Sequence, residues 1–246
     1  MNGCERIRVV LVRPRDAGNV GAVARAMKNM GLAQLVLVDP PALDPQRAVT
    51  MAVHAREILD ASRTVPTLAD AIAGCGLAVA TSGRATAARD GALPPRALAP
   101  TIVAAAAGND VALVFGPEDH GLALAELALC QREIAIPTSP AYGSLNLAQA
   151  VLVCSYEIFL AASSAGDAGA ERTLAPNARR ELLYTKLEEA LRGIGYLHRD
   201  NAAHMMRRLR RLLGRADLDD EEVQILLGLA RQIAWAGQRL QRPPSH

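Results

Sequence analysis

The chain has 246 residues, half of them apolar, with 27 basic against 25 acidic side chains. That is enough for one sizeable core, or for a core plus a small appendage, and it excludes a disordered or low-complexity chain. A net charge of +2 does not announce a nucleic-acid binder, and the aromatic residues are too few for an extended base-stacking platform. Any role on nucleic acid must come from where the charge is placed.

Ile7–Val12 (IRVVLV) opens the chain as a buried strand, followed by a helix near Val20–Met30 and a second strand at Leu35–Val38. A helix near Thr67–Ala73 leads to the strand Leu77–Thr81, and a helix near Thr101–Ala107 leads to the strand Val111–Phe115. A helix near Leu122–Leu129 and a strand at Glu133–Ile136 complete the alternation. Strands this uniformly apolar, alternating with helices, predict an α/β fold with a parallel sheet covered on both faces. A long apolar helix from Leu145 to about Ala162 closes the unit. Asn146, Gln149 and Glu157 interrupt it, so it reads as a buried helix and not a membrane span.

Composition then shifts. Ser163–Gly169 (SSAGDAG) is small and polar, as a linker is. Beyond it come two or three helical patterns with no strand signal. The last starts at Asp219 with Glu222 three residues on, a capping-box pair, and continues with Val223, Leu226, Leu227, Ala230 and Ile233 at helical spacing. The expected organisation is an α/β domain over residues 1–164, a linker over 165–175 and a small all-helical domain over 176–246.

Cys4, Cys75, Cys130 and Cys154 form no CxxC pair, and no histidine stands at ligand spacing beside them. The pattern gives no metal site and points to reduced thiols. The opening residues MNGCERIR lead into a strand without a secretory apolar region, so a cytoplasmic location is expected.

Gly18 and Gly21 after the first strand, with Asp39 ending the second, imitate a dinucleotide-binding fold. The spacing is wrong: that fingerprint needs G-x-G-x-x-G, and this loop reads GNVG. Asp39 before Pro40 and Pro41 reads instead as a turn residue.

Three other segments share one layout, a strand end followed by a polar loop and a helix. In a parallel sheet such loops emerge on one edge, where ligands bind. The first is Asn19–Arg25 (NVGAVAR). Asn19 is placed to cap a helix, and Arg25 falls in an otherwise apolar run, where it must reach solvent or meet an anion. The second is Val114–Leu122 (VFGPEDHGL), with Glu118, Asp119 and His120 at the strand's mouth. The third is Ile136–Asn146 (IPTSPAYGSLN), where Tyr142, Gly143, Ser144 and Asn146 open the long helix.

The order N-x-G-x-x-x-R, F-G-P-E-x-x-G-L, I-P-x-x-x-x-x-x-S-L-N resembles the three motifs of the SpoU/TrmH branch of the SPOUT methyltransferases. MKNMGL, TSGR at Thr81–Arg84 and the tail RRLRRLLGRADLDDEEVQILLGLARQIAW resemble the TrmJ subgroup, which methylates the ribose 2′-oxygen at position 32 of tRNA. Pro117 departs from the arginine common there, and Gly143 from a serine or alanine. The resemblance implies a trefoil knot in the catalytic domain, S-adenosyl-L-methionine as cofactor, and a homodimer with the site near the interface. It implies cofactor contacts from Thr81, Ser82, Gly83, Gly116, Ile136, Gly143, Ser144 and Leu145. It assigns Arg25 to removal of the 2′-hydroxyl proton, with Asn19, Glu118, Ser144 and Asn146 orienting Arg25 and the nucleotide. Arginine keeps its proton to above about pH 12, so a phosphate anchor that acidifies the hydroxyl is the physical alternative to a literal base.

Arg207, Arg208, Arg210, Arg211 and Arg215 crowd one helical stretch without an acid, with Met206, Leu209, Leu212 and Leu213 between them. The apolar set is expected to face a core, and the arginines to form an RNA-binding face.

Overall fold

The computed structural model describes residues 3–83, 91–139, 141, 143–164 and 173–240. The chain divides into two compact units, Met1–Arg172 and Thr173–His246.

In the first unit β1 (Ile7–Val12) leads to α1 (Ala17–Asn29), β2 (Gln34–Val38), α2 (Pro45–Ala52), α3 (Arg56–Asp60) and β3 (Arg63–Val65). Then come α4 (Leu68–Ile72), β4 (Leu77–Thr81), α5 (Pro95–Gly108), β5 (Val111–Phe115), α6 (Leu124–Leu127), β6 (Arg132–Ile134) and α7 (Leu147–Ser164). The strands form one six-stranded sheet in the order β3-β2-β1-β5-β4-β6. All of its pairings are parallel. Strand alternation splits the core in two. Ile7, Val9 and Leu11 pack with α1, α5 and α7, while Val10 and Val12 face α4 and Leu122.

The short strand β3 and the helices α2 and α3 escape the sequence reading because each is too brief for a periodic signal. Strand β6 ends two residues earlier than expected. After Ile134 the backbone turns to Leu93, whose carbonyl accepts from Ala135 N and whose own N–H donates to Glu133.

Helix α1 begins earlier than Asn19. Asp16 is its N-cap, accepting from the Asn19 N–H at 3.0 Å, so Asn19 sits inside the first turn with its side chain free for other work. Helix α2 is fixed by Asp44, which caps Gln46 and Arg47, with Pro45 at the first helical position. It lies directly on α1 at Gly21, where any Cβ would collide with the Ala48 carbonyl. The first motif therefore needs glycine there for close helix packing.

Helix α7 is expected to be buried. Leu147, Val151, Cys154 and Ile158 are, and burial pushes the Cys154 thiol up to about 12. Leu152, Val153, Tyr156, Phe159 and Leu160 lie on its open side, each more than a third exposed.

The second unit holds α8 (Asn177–Gly193), α9 (Ala202–Gly214) and α10 (Asp220–Leu240). The expected linker falls largely on residues outside those described, and Leu174 and Ala175 already belong to the packed helical unit. Ala175, Leu183, Leu218, Val223 and Leu227 form its main core. The capping box at α10 is formed: Glu222 N donates to Asp219 at 2.8 Å and Asp219 N donates to Glu222 at 3.0 Å.

Candidate active site

Strands β1 and β5 are neighbours, yet the chain leaves them toward opposite faces of the sheet, to α1 and to α6. A crevice must open at the C-terminal ends of such a pair. The loops after β1, β4 and β5 and the segment before α7 all converge there.

A cavity of about 320 Å³ sits in this crevice. That is within the range of about 300–1,000 Å³ usual for small-molecule sites. Its walls include Thr81 at the end of β4 with Ser82 and Gly83 after it, Gly116 and Glu118 after β5, and Ile136, Gly143, Ser144 and Leu145 before α7. All eight residues singled out as cofactor contacts thus line one space. Phe115, Leu122, Leu147 and Ala150 add an apolar floor that the motif reading did not include.

Side chains from the three motifs meet at the cavity's edge. Asn19 donates through Nδ2 to Glu118 Oε1 at 2.9 Å, and its Oδ1 accepts from Asn146 Nδ2 at 2.9 Å. Glu118 also accepts from the backbone N–H groups of Arg15 and Asp16, at 3.0 and 3.4 Å. Asn146 Oδ1 in turn accepts from Ala148 N, so Asn146 caps the first turn of α7. This polar latch ties the first turn of α1, the loop after β5 and the start of α7 together across 99 and 127 residues of chain. Its partners are satisfied in a fixed orientation, which is what a reacting nucleotide needs from its surroundings.

Beside the latch, Arg15 pairs with Asp119 at 2.7 Å, and Asp119 also meets His120 Nδ1 at 2.6 Å. Desolvation raises the Asp119 carboxyl, but its own backbone hydrogen bond, Arg15 and His120 outweigh this and hold it below the usual carboxylate range.

The donor set suits S-adenosyl-L-methionine. Hydroxyls of Thr81, Ser82 and Ser144 and a glycine-rich backbone can meet a nucleoside, and the carboxylates of Glu118 and Asp119 can meet cationic sulfur and amine groups.

Residues 6–156 match the model of the SpoU rRNA Methylase family. The chain belongs to that SpoU methylase family. Residues 179–244 match a second model, the C-terminal domain of the tRNA methyltransferase TrmJ. A relative in Pseudomonas aeruginosa, named tRNA (cytidine/uridine/adenosine-2'-O-)-methyltransferase TrmJ, is 43% identical over 92% of this chain and 92% of its own. One in Salmonella typhimurium, named tRNA (cytidine/uridine-2'-O-)-methyltransferase TrmJ, is 41% identical over 93% of this chain and 96% of its own. The crystal structure of TrmJ from Z. mobilis superposes with a TM-score of 0.76 at 32% identity, covering 92% of this chain and 98% of that one.

In this SpoU methylase Arg25 lies on α1, exposed, beyond the cavity lining. Among the described residues it has no ion-pair partner, so the apolar run around it resolves by projection to solvent. Tyr142 and Arg84 lie outside the described residues. Sequence reasoning missed Asp16, although an aspartate just before an apolar-periodic helix is the ordinary N-cap signal.

The arginine cluster of the second unit divides. Arg207, Arg208, Arg211 and Arg215 are exposed on α9 or at its end. Arg210 is turned inward. It grips Glu181 through both nitrogens, at 2.5 and 2.8 Å, and stacks 4.4 Å from the Tyr184 ring. Burial pushes the Tyr184 phenol up. Leu212, expected in the core, is instead exposed beside the arginines. Met206 is buried, and Leu209 and Leu213 are partly buried.

Proposed function

We propose that this protein methylates the ribose 2′-oxygen of tRNA at position 32, with cytidine or uridine as the target. The observation that carries the reading is the latch of Asn19, Glu118 and Asn146 on the rim of the cofactor cavity. It joins all three motifs at the place where a ribose would meet the methyl donor. The named activities of the TrmJ relatives support the substrate class, and the motif resemblance supports the position.

S-adenosyl-L-methionine, when bound, supplies a methyl on cationic sulfur, whose transfer forms a carbon–oxygen bond, breaks a carbon–sulfur bond and releases the hydroxyl proton. The protein's own part is positioning and charge. Asn19 and Asn146 present a rigid polar edge to the nucleotide. Ser144 lines the cofactor cavity itself. Arg25 binds the RNA phosphate next to the target and makes the 2′-hydroxyl more acidic by its positive field. The trefoil knot implied by the family resemblance belongs to this reading, and so does the cytoplasm, where tRNA is processed.

Arg207, Arg208, Arg211 and Arg215 provide the electrostatic grip on RNA, while Arg210 shapes the unit from within. The test is to incubate the protein with labelled cofactor and total tRNA and to map the modified nucleoside by mass spectrometry. We expect 2′-O-methylcytidine or 2′-O-methyluridine at position 32. An Arg207→Ala, Arg208→Ala double variant should bind tRNA more weakly, with a salt dependence shallower by about two. Methylation at another nucleotide moves the address, and label on a base removes the reading.

The open apolar side of α7 supports a homodimer. Leu152, Tyr156, Phe159 and Leu160 recur at helical spacing and form a stripe that a second copy would cover. Sedimentation should give twice the 26.0 kDa chain mass, and Tyr156→Glu with Phe159→Glu should give a monomer. A wild-type chain that sediments as a monomer rejects the dimer.

A further inference from the structure

A second depression, outside the cofactor cavity, lies between α1 and α2. Asp16, Gly18, Asn19 and Ala22 form one side, Arg47, Thr50 and Met51 the other, and Asn146 one end. Asn19 and Asn146 line this groove, while their latch partner Glu118 lines the cofactor cavity. Gly18, Ala22 and Arg25 stand at i, i+4 and i+7 on α1, so the groove floor runs along the helix from the latch toward Arg25.

Among the described residues, Arg47 is the one cation in the lining. Its Nη2 donates to Asp16 Oδ2 at 2.8 Å, while Asp16 Oδ1 holds the Asn19 N–H. Its side chain crosses α1 at Gly18, where an added Cβ would come within 3.2 Å of Arg47 Nε. Gly18 keeps that path open. The packing of α2 on α1 at Gly21 and the Asp44 cap set where Arg47 starts. The guanidinium thus reaches Asp16 across the groove lining, yet its side chain remains 61% exposed. An exposed ion pair holds its partners weakly, so a phosphate can replace the Asp16 carboxylate at little cost.

Given the proposed reaction, on which this inference rests, the RNA backbone must pass over the latch to bring a 2′-oxygen to the cofactor. We propose that the α1–α2 groove is an RNA-backbone subsite, in which Arg47 binds a phosphate flanking the target ribose. Arginine suits this contact because its planar fork matches two phosphate oxygens. The groove gives the nucleotide a second charged anchor, on the side of the ribose opposite the cofactor cavity.

The experiment compares wild type, Arg47→Ala and Arg47→Lys in steady-state methyl transfer to a tRNA transcript. Filter binding of the same transcript at several salt concentrations accompanies it. Arg47→Ala should raise the KM for tRNA about fivefold to tenfold and make the salt slope shallower by about one. The kcat, the cofactor Kd and the melting temperature should stay near wild type. Arg47→Lys should restore the slope and part of the affinity. Unchanged KM and slope in Arg47→Ala would overturn the subsite. Weaker binding with an unchanged slope would also overturn it, because Arg47 would then be only a brace for Asp16. If wild type binds tRNA but transfers no methyl while Arg47→Ala still flattens the slope, the proposed reaction falls and the phosphate subsite stands.

Discussion

Replacing Arg25 with alanine should lower kcat for methyl transfer by about a hundredfold to a thousandfold, the cost of removing one well-placed electrostatic contact from a transition state. The cofactor Kd and the melting temperature should not move. Arg25 is exposed, lies beyond the cavity lining and has no ion-pair partner among the described residues, so its loss leaves no orphaned charge and no void. Arg25→Lys separates two roles. Lysine keeps the charge but loses the planar fork, so a phosphate anchor should retain part of the rate, and a role needing bidentate geometry should not. Methylation at the wild-type rate in Arg25→Ala would take Arg25 out of the reaction. The measurement is single-turnover transfer of labelled methyl to tRNA, which reads chemistry apart from product release.

The second large effect is expected at Gly116. A Cβ added there would overlap the backbone of Gly121 and Leu122, with the Gly121 Cα only 2.8 Å away. Backbone cannot swing aside as a side-chain tip can, so the 116–122 loop must open. That loop carries Glu118 of the latch and much of the cavity wall. Gly116→Ala should therefore cost about 1–3 kcal/mol of stability, as overpacking does, and weaken cofactor binding about tenfold or more through the displaced wall. Gly83 supplies the contrast. It lines the same cavity, but an added Cβ meets nothing within 4 Å among the described residues. Gly83→Ala should leave stability unchanged. Chemical denaturation and calorimetric titration of the cofactor test both. Wild-type stability in Gly116→Ala would show that the loop yields without strain.

Part of this architecture is legible in the sequence. The four longer strands, β1, β2, β4 and β5, read from the sequence because each is a run of apolar residues bounded by polar ones, and such a run has few other places to go. The motif residues read as a group because strand ends in a parallel sheet share one edge. The capping box at α10 read from two residues, since both of its hydrogen bonds are local.

Other assignments failed for want of long-range information. Asn19 looked like a cap because its residue type suits one. Asp16 takes that place, and Asn19 is instead committed to Glu118 and Asn146, far away in the chain. Arg210 looked like its neighbours until Glu181 and Tyr184 turned it inward. The open side of α7 could not be told from a buried one, because both are apolar.

The sequence by itself determined five of the six strands, the helical second unit and the common edge that the three motif loops share, since these follow from local pattern and from the geometry of parallel strands. Tertiary structure decided how those residues are used. Gly21 lets α2 rest on α1, that contact carries Arg47 to the groove, and the latch divides the groove from the cofactor cavity. Each of these depends on atoms meeting across tens of residues, and no local periodicity encodes such meetings.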